Sequence, residues 1–328
     1  MMAHTLSAEN ASASANGAKR VATLIASATE IVSALGCRDW IVGRSHECDY
    51  PEGIDAVPVL TEPKFPTGGP SGEIDRHVKA IVEEGISVYR VHSERLKELS
   101  PDVIVTQDHC EVCAVSLKEV EQAICNWTGQ DIQVVSCRPN ALSDVWADIR
   151  RIADALGIPD AGDRMVFDMQ GRMNAIAARA ARAARRPRVL CIEWIDPLMA
   201  AADWMPELVE LAGGVNVLGT AGKHSEWITW EKAVAAEPDV IVVMPCGFDI
   251  PRTSAEMPIL EGKPGFAALK AVREGRLAVV DGNQYFNRPG PRLADSLEIL
   301  AEILHPELFD FGHYGEGWMG WPDAATFA

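Results

Sequence analysis

The chain has 328 residues, 48% of them hydrophobic and 23% charged, with a formal net charge of −17. That length and apolar content suit two globular lobes with full-sized cores. The charge excludes nucleic acid and anionic membrane surfaces as partners, since their phosphates would be repelled, and no run of about 18 apolar residues is present for membrane insertion.

The first stretch, MMAHTLSAENASASANGAK, lacks a basic region followed by an apolar core, so 1–19 reads as a disordered leader and no signal peptide is seen. A cytoplasmic location follows, or a periplasmic one if the true N-terminus differs. Eight cysteines in so long a chain are then mostly reduced thiols rather than a disulfide scaffold. RVATLIA predicts a strand, SATEIVSALGC a helix ended by Gly36, and WIVGRS a second strand. Five prolines between Pro51 and Pro70 punctuate an irregular stretch. EIDRHVKAIVEEG and SERLKELS predict helices, PDVIVTQ a buried strand, LKEVEQAICNWTG a helix and IQVVSC a strand.

From Asp144 the chain reads as helical to about residue 184, interrupted at Gly157 and Pro159 and rich in Ala and Arg near its end, which suits a connecting helix. Strand and helix signals then alternate again: RVLCIEW, MPELVELAG, WEKAVAAEP, DVIVVMP, FAALKAVREG, LAVVDG and RLADSLEILAEILHP. The expected fold class is α/β, with two Rossmann-like lobes of mostly parallel sheet joined by a long backbone helix. The expected boundaries are 20–143 and 185–311 for the lobes, 144–184 for the helix and 312–328 for a tail, in a monomer.

The halves echo each other. LKELSPDVIVTQDHC and EKAVAAEPDVIVVMPCG share a helix, then Pro-Asp-Val-Ile-Val, then a loop with cysteine. Loops after the carboxyl ends of parallel strands form the ligand crevice of open α/β sheets. The unusual residues fall at such ends or in nearby loops: His46, Cys48, Asp49 and Tyr50; Asp108, His109, Cys110 and Cys113; Glu193 and Trp194; His224 and Trp227; Cys246; Phe286 and Arg288.

The order of these segments, with DYP, LKELSPDVIV, PELVELAGGVNVLG, AAEPDVIVV and FNRPGPRLADSLEILAEILHP, resembles the helix-backbone periplasmic binding proteins, the ferric-siderophore and vitamin B12 receptors of ABC importers. The resemblance covers roughly 20–306. It is stronger to cobalamin-binding members, including some without a signal peptide that carry a QDxCxVC stretch. It implies a non-catalytic protein that binds a metal chelate, most simply cobalamin or a related corrinoid, in a cleft between lobes. It also implies an ABC permease as partner if the protein is exported, with Glu94 and Glu231 as the docking carboxylates, and it assigns Asp49 and Tyr50 to the first-lobe pocket loop. Residues 61–92 form an insertion with no counterpart in the simple B12 receptors.

The residues themselves leave more than one chemistry open. Cys110 and Cys113 with His109 supply half a metal site, which His46 and Cys48, or His224 and Cys246, would complete for zinc or cobalt. They suit equally small packing thiols and, less well, a redox pair. Trp194, Trp227 and Phe286 offer flat apolar walls to a macrocycle, and Arg288 either a ligand contact or a salt bridge. A metal- or thiol-dependent enzyme on this scaffold, and a ferric-siderophore or haem receptor, are the rival functions. No GxSxG, HExxH or phosphate loop is present, so a binding protein is expected rather than an enzyme.

Overall fold

The computed structural model describes residues 17–83, 88–107, 120–121, 124 and 132–322. In chain order the N-terminal lobe holds β1 (Val21–Thr23), α1 (Ala26–Val32), β2 (Ile41–Arg44), β3 (Thr61–Pro63), α2 (Ser71–Glu83), β4 (Tyr89–Val91), α3 (Ser93–Leu99), β5 (Val103–Gln107) and β6 (Gln133–Cys137). Its sheet runs β2-β1-β5-β6 with every pairing parallel. β1 and β5 are buried along their whole length, which is why their sequences run apolar without alternation.

The C-terminal lobe holds β7 (Arg188–Trp194), β8 (Met199–Ala200), α6 (Met205–Leu211), β9 (Val215–Asn216), β10 (Glu226–Trp227), α7 (Trp230–Ala235), β11 (Val240–Val243), α8 (Ile250–Glu261), α9 (Lys270–Arg273), β12 (Leu277–Val280), α10 (Leu293–Leu304) and β13 (Trp318–Gly320). Its sheet order is β10-β8-β7-β11-β12-β13, with β9 also on β7. The centre is parallel, and β8, β10 and β13 add antiparallel edges. The two-lobed α/β expectation holds.

The repeat has a structural cause. In the first lobe the Asp102 carboxylate accepts the Arg20 N–H at 2.8 Å, and the Asp102 N–H donates to the Arg20 carbonyl. In the second lobe Asp239 treats Arg188 in the same way, at 2.9 Å. Each Pro-Asp therefore sets its Val-Ile-Val strand in register beside the lobe's first strand.

Two boundaries are corrected. The span 144–184 is not one helix: Gly157, at φ 79°, ends a helix at Leu142–Leu156, and Pro159 starts another at Pro159–Ala180, here α4 and α5. A left-handed glycine stops a helix and proline suits its first turn. The two helices pack together, Gly162 lying where a Cβ would come within 2.5 Å of the Ala153 Cβ. α4 belongs to the first lobe, against β6 and β5. α5 alone is the connector, and its Val166, Met169, Met173 and Ile176 join one apolar core that runs from Ile31 and Val105 to Leu297 and Val242. Nor is 312–328 only a tail, because β13 pairs with β12. Among the described residues no helix is long and apolar enough to cross a membrane.

Candidate functional site

The segments after β1 and β2 meet the segment after β12, where Arg292 reaches Glu30 and Arg288 reaches Asp49. On the first-lobe rim the loop after β2 is shaped by Arg44, whose buried guanidinium donates to the carbonyls of Ser45, Cys48, Asp55 and Val57. His46 is half-buried on this loop, its ring 5.3 Å from that of Tyr89. Thr61 Oγ1 accepts the His46 backbone N–H at 3.0 Å and donates its one hydrogen to Ser45 Oγ at 3.1 Å. His46 Nδ1, 2.7 Å from that oxygen, must therefore be the donor, which leaves the Nε2 lone pair unprotonated. Burial, then the Arg44 charge, lowers the imidazole pKa to about 4. The ring is a neutral nitrogen donor at physiological pH.

Beside it, burial pushes the Glu47 carboxyl up to about 7, against the pull of Arg288 and the Tyr89 hydroxyl at 3.3 Å. Cys48 corrects an expectation: it is 2% exposed, bonded to Thr29 Oγ1 at 3.0 Å, with its thiol pushed up by burial to about 11. A protonated thiol turned into the core is not a ligand at the rim.

The lobes meet in a clasp of charges. Glu30, 2% exposed on α1, accepts Arg292 Nε at 2.9 Å, Arg292 Nη2 at 2.6 Å and Arg288 Nη1 at 3.1 Å. Asp49 takes both terminal nitrogens of Arg288, at 2.6 and 3.1 Å, with Asn283 and Gln284 on the same carboxylate. Burial raises the Asp49 pKa, but the Arg288 bonds and charge outweigh it and hold the carboxyl below its ordinary value. Arg292 also stacks over Tyr50, 4.0 Å from the ring centre. Arg288 thus joins the lobes through the salt bridge that was one of its two readings, and its terminal nitrogens are committed to protein acceptors.

On the second lobe Trp194 is half-buried and edge-on to Phe248, and its indole N–H donates to the Asp196 carbonyl. Glu193 accepts from Ser225 at 2.7 Å. Cys246 is exposed after β11. Phe286 corrects another expectation: wholly buried at φ 59°, it is locked by Ser296 and by the Trp204 indole, so it is a corner of the core and not a wall. His224 sits 3.9 Å from Asp203 and lines a cavity of about 230 Å³ at the outer sheet edge with Lys223 and Lys232. Trp227 is exposed on edge strand β10, with Lys79 Nζ 4.6 Å above its ring. Asp108, His109, Cys110 and Cys113 lie outside the described residues. Among the described residues no group of three or more His, Cys, Asp or Glu is placed to hold a metal.

Glu94 and Glu231 occupy equivalent places, each exposed in the first turn of the helix before the repeated strand. Sequence reasoning missed Glu30, Asn283, Gln284, Asp196, Arg252 and Glu256. For Glu30 a signal existed, a lone acid among the apolar residues of SATEIVSAL.

A family model described as periplasmic binding protein matches residues 21–283. The chain is 24% identical over 297 residues to the ABC transporter substrate-binding lipoprotein YvrC of Bacillus subtilis, covering 89% of this chain and 81% of that one. It is 21% identical over 306 residues to a vitamin B12-binding protein of Vibrio cholerae, covering 88% and 89%. Among solved structures it is similar to a periplasmic heme-binding protein from Pseudomonas aeruginosa, at TM-score 0.68 and 20% identity over 92% of this chain and 97% of that one. It is also similar to the vitamin B12 binding protein BtuF of V. cholerae, at TM-score 0.61 and 20% identity over 88% and 97%. At such identities the likeness speaks for the fold.

Proposed function

The chain belongs to the periplasmic binding protein family, and from that premise we propose that it is a substrate-binding protein of the ABC-transporter type whose ligand is a corrinoid, cobalamin or cobinamide, held in the cleft. The observation that carries the choice is the state of the cleft arginines. Arg288 and Arg292 spend their guanidinium groups on Glu30, Asp49 and Gln284, and Arg252 donates to the carbonyls of Thr67 and Gly69. The two carboxylates of a haem need such cations and would meet Glu47 and Asp49 instead. The amide side chains of a corrin carry no such demand. The name of the V. cholerae relative points the same way.

His46 supports a metal that arrives already chelated. One neutral imidazole nitrogen cannot build a zinc cage, but it can take an open axial position on cobalt. A ferric siderophore that fills every iron position leaves it nothing to bind. Absorbance titration with diaquocobinamide, cyanocobalamin, haemin and a ferric siderophore tests the reading. Corrinoids are expected to bind tightest, with a visible-band shift for diaquocobinamide that His46→Ala removes. Binding of haemin or siderophore but no corrinoid overturns it.

Glu94 and Glu231 are the carboxylates proposed to meet permease arginines. Cell fractionation decides between two uses of the same cleft. Retention in the cytoplasm makes the protein an internal corrinoid carrier, and export makes it an importer's receptor.

A further inference from the structure

The segment 64–83 is rooted in one lobe and fastened to the other. Its root is the antiparallel pair β3–β4, closed by the Lys64 N–H on the Val88 carbonyl at 2.9 Å. Its Phe65, Val78 and Ile81 pack with Leu24, Leu60 and Leu96 of the first lobe. From there it crosses to the second lobe. Arg252 on α8 donates to the carbonyls of Thr67 and Gly69 at 2.7 and 3.2 Å. One turn further along the same helix, Glu256 accepts the Ser71 N–H at 2.7 Å, placing a carboxylate at the positive end of the 13-residue helix α2. Gly72 lies against Asp196, just after β7, and Lys79 covers Trp227.

The two ends of this segment are held differently. Among the described residues, the apolar cluster of the second lobe around Leu190, Ile241 and Phe266 includes no residue of 64–83, and the bonds to Arg252 and Glu256 that fasten the far end are polar. That fastening is incomplete: Ser71 Oγ and Glu256 Oε2 are buried with no hydrogen-bond partner among the described residues. Buried polar atoms without partners penalise the docked state, and undocking returns them to water. In the clasp around Glu30, by contrast, both carboxylate oxygens and both terminal nitrogens of each arginine are paired. One junction is made to hold and the other to let go.

We propose that residues 64–83 are a latch: the segment swings off α8 while the clasp keeps the lobes together, and its opening sets the rate at which ligand enters and leaves the cleft. The ligand half of this proposal rests on the binding-protein reading; the motion does not. A local latch supplies the gate that a continuous core through α5 denies to whole-lobe closure.

A staple tests it. An ideal Cβ on Gly72 lies 3.8 Å from the Asp196 Cβ, the mean separation in disulfides, so Gly72→Cys with Asp196→Cys should lock the latch when oxidised. The ligand-free readout is fluorine NMR of 5-fluorotryptophan protein, with the Trp227 resonance assigned through Trp227→Phe. A split or exchange-broadened Trp227 signal is expected. Its minor component should grow several-fold in Arg252→Ala and vanish in the oxidised staple. One sharp line unmoved by either variant overturns the latch.

The second readout is stopped-flow association and dissociation of cyanocobalamin and haemin. Both rates should fall at least tenfold in the oxidised staple and recover on reduction. Unchanged rates with a bound probe also overturn it. If neither probe binds, the proposed ligand class fails, while the fluorine signal still decides the latch.

Discussion

Removing Glu30 should weaken the whole molecule, although its carboxylate adds no apolar packing. That carboxylate is 2% exposed and accepts three charged N–H groups from two arginines that are 6% and 9% exposed. Glu30→Ala leaves Arg292 with Gln284 and the Tyr50 face, and Arg288 with Asp49. Breaking a buried pair from one side typically costs about 3–5 kcal/mol, because the surviving charge stays desolvated. The two arginines keep some partners, so about 3 kcal/mol is expected. At roughly 2–4 °C per kcal/mol for large domains, the melting temperature should drop by ~9 °C. The apolar core is continuous through α5, so calorimetry should record one transition before and after. Arg292→Ala should cost a similar amount, and the double alanine variant clearly less than the sum of the singles. Glu30→Leu with Arg292→Met, which removes both charges and keeps volume, should come back toward the wild-type value, as buried ion pairs often do when replaced by packing. Full additivity, or a Glu30→Ala loss under about 1 kcal/mol, would refute the clasp.

Glu47, with its folded pKa raised by burial to about 7, favours its protonated form. The stability that form contributes is complete below about 4.3, the ordinary value of a free glutamate, and is lost as pH rises through 7. Glu47→Gln should therefore match the wild type near pH 4 and exceed it at pH 8 by up to about 3 kcal/mol, at 1.36 kcal/mol per pH unit. Urea midpoints at both pH values check this, and a gap that does not depend on pH contradicts it. Two glycines of one helix should respond oppositely. Space is open around Gly171, where an added Cβ would meet nothing within 4 Å, so Gly171→Ala should gain roughly 0.5–1 kcal/mol. Gly162→Ala should lose about 1–3 kcal/mol by driving α5 off Ala153. Chemical denaturation separates them, and equal signs would be fatal to the packing argument. Alkylation with iodoacetamide followed by peptide mapping should label Cys246 in the folded protein and spare Cys48, Cys137 and Cys191, which are buried with their thiols pushed up. Rapid labelling of Cys48 would reopen its case as a rim ligand.

The fold is legible where one short segment carries its own instructions. Pro-Asp-Val-Ile-Val appears twice because aspartate, strand and partner strand solve the same register problem in each lobe. The helix break at Gly157–Pro159 is written in two residues, which read as an interruption and not as an end. Its consequence, α4 folding back on α5, depends on Gly162 meeting Ala153, a contact that helical periodicity does not encode. The strands β8 and β10 are two residues each, too short to carry a pattern. The site is legible by position but not by orientation. Strand ends place Asp49, His46 and Trp194 on the cleft loops, yet the same rule places Cys48 and Phe286 there. Neighbours in sequence point opposite ways from a tight loop, and only the Thr29 bond to Cys48 and the Trp204 bond to Phe286 say which way. Arg288 and Arg292 share a polar, glycine- and proline-rich loop that suits a ligand contact and a salt bridge equally. What turns them inward is Glu30, more than 250 residues away in the chain. A lone carboxylate in an apolar helix is the part of such a pair that a sequence displays, because burying it unpaired would cost more than the helix could return. An acid of that kind is a prediction that a cation will arrive from elsewhere, and in a two-lobed chain the place it arrives from is the other lobe.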